Sequence, residues 1–92
     1  MNREEWLNRQ KQWSEIETRL KVELESAQDK FRQSKREFDL ARGYALELGL
    51  NTVDGTHAIR NASREYNRSL TAYRIALGRF CDFSLRGTIP PD

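Results

Sequence analysis

The side chains able to do chemistry in this chain are few and far apart. One histidine, His57, and one cysteine, Cys81, are the obvious candidates for a general base and a nucleophile. A working pair must be adjacent, yet on one continuous helix their separation in sequence corresponds to about 36 Å. A Cys–His dyad within one chain is therefore excluded. His57 falls near an expected helix start, where a cation is disfavoured, so it reads as a surface or capping-loop residue and not as a phosphotransfer centre. A single Cys and a single His supply no zinc ligand set. With no intramolecular disulfide partner, Cys81 fits a reducing compartment. Glu15, Glu17, Glu23 and Glu25 lack the Glu-x-x-His motif of metal sites in helical bundles and are expected to be solvated. Gly-rich phosphate loops and nucleophile elbows do not occur. The expectation is a non-enzymatic protein without metal or cofactor.

The other chemistry on offer is electrostatic. Net charge is only +2, too little for bulk attraction to nucleic acid, so the placement of charges must decide. Residues 1–50 are balanced, whereas residues 55–86 hold arginines at 60, 64, 68, 74, 79 and 86 against only Glu65 and Asp82. Lys35, Arg42, Arg60 and Arg74 are expected along one flank of a helix pair, where guanidinium forks suit phosphate or carboxylate oxygens. Without interleaved aromatics the nucleic-acid signature is weak, and a solvated flank is the favoured reading of these cations.

Two helices must position all of these groups. At 92 residues, 37% hydrophobic and 33% charged, with mean hydropathy -0.87, the chain suits helices with one buried face and one broad wet face. Asn2 can cap a helix beginning at Arg3, with Glu5 at the third helical position as a capping box requires. Trp6, Trp13, Ile16, Leu20, Leu24, Ala27, Phe31, Phe38, Ala41, Ala45 and Leu48 then recur at helical steps. Gly49 and Leu50 provide a left-handed cap and its hydrophobic contact, so helix 1 is expected over about 3–48, a length of about 69 Å. A turn at 49–54 offers Asn51, Thr52 and Asp54 as competing caps. This turn has no tryptophan, unlike that of the small secreted helical hairpins named for a Trp-x-Gly turn, which the chain resembles in architecture alone. Helix 2 is expected over about 55–84, and Gly87, Pro90 and Pro91 mark 85–92 as a tail.

Register follows from two mirrored ladders. Leu24, Phe31, Phe38 and Ala45 repeat every seven residues, as do Ile59, Tyr66, Tyr73 and Phe80, and antiparallel pairing gives every pair the same total of residue numbers. With the first ladder at heptad position a and the second at d, the remaining seam layers pair Ala27 with Leu77, Ser34 with Leu70 and Ala41 with Ser63. The fold expected is all-α, a two-helix antiparallel coiled-coil hairpin forming a single domain with a short extended C-terminal tail.

Such a seam leaves residues over. Ala62, Ser69, Ala76 and Phe83, at position g, widen the apolar face of helix 2 toward that of a bundle helix, and a second copy forming a four-helix homodimer is the simplest cover. Trp6, Trp13 and Ile16 project past the end of helix 2. Either the tail lays Ile89, Pro90 and Pro91 over Trp13, or another chain, including a heterologous protein, covers them. No run approaches the ~18 apolar residues of a membrane span, so a cytoplasmic protein is expected. The functional expectation is a self-associating protein–protein interaction or scaffold module; the second is polyanion binding through Lys35, Arg42, Arg60 and Arg74.

Overall fold

The computed structural model describes residues 2–48 and 53–90, which form an all-α helical hairpin. Helix α1 spans Arg3–Leu48 and helix α2 spans Val53–Arg86. Asn2 caps α1 as its short polar side chain allows: Oδ1 accepts the Glu5 N–H at 2.8 Å, satisfying one of the amides that a helix start leaves without a partner. The expected cap at Gly49 and Leu50, and the alternatives Asn51 and Thr52, lie outside the described residues. Asp54 falls inside α2 and does not precede it.

Helix α2 begins two residues earlier and ends two residues later than the range 55–84. Leu85 and Arg86 carry nothing that breaks a helix, and the stop comes at Gly87, whose φ of 69° lies in the left-handed region. The Gly87 N–H bonds to the Phe83 carbonyl at 3.0 Å and the Thr88 N–H to the Asp82 carbonyl at 3.3 Å. These bonds occupy carbonyls that would otherwise face solvent alone. Arg86 lies in the last turn, where a cation complements the helix dipole, and sits 3.9 Å from Asp82.

The hairpin is a rod 70 Å long and 18 Å across, so its core is a line of contacts and not a centre. The aromatic ladders meet in the expected register. Phe31 stacks on Tyr73 with ring centroids 5.6 Å apart, Phe38 lies 5.5 Å from Tyr66, and Phe31 also reaches Tyr66 at 5.5 Å. Tilted and offset pairs of this kind contribute about 0.5–1.5 kcal/mol each beyond the area they bury.

The second set of layers differs from expectation. Ser34 bonds to Ser69, hydroxyl to hydroxyl, where Leu70 had been expected opposite it. Each hydroxyl also lies 3.0 Å from the carbonyl three residues back, that of Phe31 for Ser34 and that of Tyr66 for Ser69. Repeating this pair by heptads sets Leu20 level with Phe83, Ala27 with Ala76 and Ala41 with Ala62. Burial agrees: Leu20 and Phe83 are each 1% exposed, Ser34 7% and Ala76 9%, whereas Leu77 is 37% exposed. Small residues therefore face small residues, and α2 is turned so that positions d and g form its seam.

The cause is the width of the α2 apolar arc. Positions a, d and g are all apolar or small, so the arc is centred on d and not between a and d. Centring it on α1 carries the g column inside and leaves the a column, with Leu70 and Leu77, as a shoulder.

Candidate functional site

The corrected rotation redistributes the residues singled out from sequence. Ala62, Ser69, Ala76 and Phe83 were expected to face outward toward a second copy. They lie instead within the hairpin's own interface, with Phe83 fully buried, Ala76 buried and Ala62 and Ser69 half-buried. They present little surface to a second chain.

Trp13 is also placed differently. It was expected to have no α2 residue to meet, yet it packs on Phe83 with ring centroids 4.3 Å apart, because the rotation of α2 turns Phe83 inward, toward the α1 column that holds Trp13 and Leu20. The tail follows it: a β-carbon on Gly87 would stand 3.0 Å from Trp13 Cη2, Pro90 is buried, and Ile89 remains exposed. Pro91 lies outside the described residues. Phe83, Trp13 and Gly87 thus form a latch at the open end of the hairpin. Gly87→Ala strikes it twice, by forcing a β-carbon into the left-handed region and against the indole. Such a substitution is expected to cost about 1–2 kcal/mol from the backbone alone. A thermal melt with Trp13 emission as a second probe checks it: a melt that shifts with emission unchanged assigns the cost to the backbone, and an unchanged melt shows that the prediction fails.

Beyond the latch the seam face of α1 continues without a partner. Trp6, Gln10, Trp13 and Glu17 follow the same a and d positions that are buried farther along, and with Arg9 and Ser14 they line an open groove of about 540 Å³. Trp6 is 51% and Trp13 43% exposed. Ile16 does not join them; it is half-buried on the neighbouring face, beside Gln12, Glu15 and Arg19. Sequence reasoning missed Arg9, Gln10, Ser14 and Glu17 as lining residues, although the heptad count places Gln10 and Glu17 on the seam line.

On the basic flank, Lys35, Arg42, Arg60 and Arg74 are all exposed. Their expected juxtaposition changes with the rotation of α2. The order of columns across the interface is fixed by Glu23 with Arg79, 3.7 Å apart, then Ser34 with Ser69, then Phe31 with Tyr73. The next column must set Arg42 level with Ser63, Lys35 with Leu70 and Gln28 with Leu77. Arg42 therefore does not face Arg60 directly. Arg60, Asn67 and Arg74 stand one column farther round α2, across a shoulder of serine and leucine.

The remaining candidates stay apart. His57 is exposed near the start of α2 and Cys81 is half-buried toward its end. Glu23 meets Arg79, whereas Glu15, Glu17 and Glu25 are exposed. Among the described residues no cluster of His, Cys, Asp and Glu is placed to hold a metal ion. No described helix is long and apolar enough to cross a membrane. Compared with known proteins, the chain matches no family model, no curated protein and no solved structure.

Proposed function

We propose that this chain is a non-enzymatic interaction module that pairs with a second copy of itself through the open end of α1. One observation carries the proposal: the seam face of α1 runs on past the last α2 residues, with Trp6 and Trp13 in line with it and about half exposed. A face shaped to pack lengthwise on a helix is best covered by a helix, and fully burying one large apolar side chain contributes about 1.5–3 kcal/mol. The segment is also close to neutral, with Arg3, Arg9 and Lys11 against Glu4, Glu5, Glu15 and Glu17, so two copies do not repel. The buried Ala76 and Phe83 column argues against the side-by-side four-helix bundle expected from sequence.

Geometry makes the proposal measurable. An antiparallel overlap of about 13 residues is about 20 Å long, so two hairpins of 70 Å joined end over end form a rod of roughly 120 Å. The contact is smaller than a standard interface, and a dissociation constant of about tens of micromolar is expected. Light scattering with small-angle X-ray scattering across this range should show the long dimer. Trp6→Ala, which removes no ring contact within the hairpin, should weaken it by about 30-fold with helicity unchanged. A chain that stays monomeric while fully helical overturns the proposal and leaves a heterologous helix as the occupant. A compact dimer no longer than one hairpin overturns it as well.

A further inference from the structure

The cations of α2 divide by flank. On the side of the Glu23–Arg79 column they are answered by acids: Arg79 sits 3.7 Å from Glu23, and Arg86 lies 3.9 Å from Asp82. Arg68, on the outer face of α2, lies 2.7 Å from Glu65. On the opposite flank Lys35 and Arg42 of α1 and Arg60, Arg64 and Arg74 of α2 are all exposed, and among the described residues none of them makes an ion pair. Asp39, four residues after Lys35 on α1, is exposed and makes no ion pair among the described residues.

The rotation of α2 gives this flank its shape. Ser63 and Leu70 are half-buried and form a low shoulder between two cationic rows. Arg60, Arg64 and Arg74 follow one face of a straight helix over about 21 Å. Guanidinium groups on a rigid rod match a regular line of phosphates, because each fork takes two oxygens and the spacing does not have to be ordered on binding.

We propose that this flank binds the phosphate backbone of a nucleic-acid duplex without reading its sequence. A duplex is favoured over a single strand because the flank offers no stacking platform: Tyr66 and Tyr73 are half-buried against Phe31 and Phe38, and the exposed indoles lie at the open end. Contacts to phosphate alone give binding that is sequence-tolerant and dominated by counterion release. This surface is separate from the open end of α1, so it does not require self-association.

The test is fluorescence anisotropy of a labelled mixed-sequence DNA duplex titrated with the full chain at several salt concentrations. Five phosphate contacts predict a slope of log affinity against log salt of about -4.5, or a loss of roughly 500-fold between 50 and 200 mM salt. The Arg60→Gln, Arg74→Gln double variant should reduce the slope by about two and leave the circular dichroism spectrum unchanged, since both side chains are exposed. Arg86→Gln, on the other flank, should leave both affinity and slope as they are. Absence of duplex binding at 50 mM salt overturns the proposal. So does a slope indifferent to the double variant, or binding to phosphatidylglycerol vesicles with none to the duplex.

Discussion

Phe83→Ala should lower the unfolding free energy by about 3–5 kcal/mol. Phe83 is 1% exposed, its ring lies 4.3 Å from the Trp13 indole, and the register sets it level with Leu20, the other large side chain that is fully buried. Truncation removes the burial of an aromatic ring and opens a cavity at the one layer of the Ser34–Ser69 column where two large residues meet. A chain of this length has about 5–10 kcal/mol in total, so roughly half of the stability resides in one side chain. Thermal unfolding should shift by about 4–8 °C for each kcal/mol lost. In a Trp6→Phe background, emission from Trp13 should move to longer wavelength as its ring loses a neighbour. A melt that moves by no more than a few degrees would show that the layer closes without Phe83.

Ser34→Leu is expected to cost about 3 kcal/mol, near the top of the range for overpacking. Ser34 is 7% exposed and bonds across the seam to Ser69, in the column where Ala27, Ala41, Ala62 and Ala76 keep the neighbouring layers small. A leucine there has no void to enter, so the helices must separate along several layers or the side chain must leave its rotamer. Ser34→Ala provides the contrast. Each hydroxyl already has a carbonyl of its own helix at 3.0 Å, so losing the bond between them should cost about 1 kcal/mol or less. Urea unfolding of both variants separates volume from hydrogen bonding. Equal losses in the two would mean that the hydroxyl pair, and not the close approach of the helices, holds this layer.

Much of the hairpin can be read from the residues themselves. Asn2 and Glu5 mark the start of α1, and the equal totals of the aromatic ladders anticipate Phe31 on Tyr73 and Phe38 on Tyr66. The rotation of α2 could not be read so directly. With a, d and g all apolar or small, the heptad count permits two seams, and it is the bond of Ser34 to Ser69 instead of Leu70, with the burial of Ala76 and Phe83, that distinguishes them. That ambiguity turned a column of the interior into an expected docking face and moved the α2 arginines one column outward. The overlap of Trp13 with Phe83 was missed for the same reason. The rotation of α2 turns Phe83 into the seam, toward the α1 column that holds Trp13 and Leu20, and the helix stop after Arg86 sets Gly87 against the indole. Trp6, by contrast, was visible as a surplus, because heptad spacing continued where α2 had no residues left to answer it.

The latch also has a kinetic meaning. In a hairpin the layers close in order of distance from the turn, since each formed layer shortens the loop that the next must close. Trp13, Phe83 and Gly87 join the most distant segments and so are expected to close last, after the rate-limiting step, which a chevron of Phe83→Ala with an unchanged folding arm would bear out. Contacts made that late govern how fast the native state opens and hardly affect how fast it forms. A helix seated on the α1 overhang would clamp the same end, and the lifetime of the folded hairpin would then lengthen with occupancy.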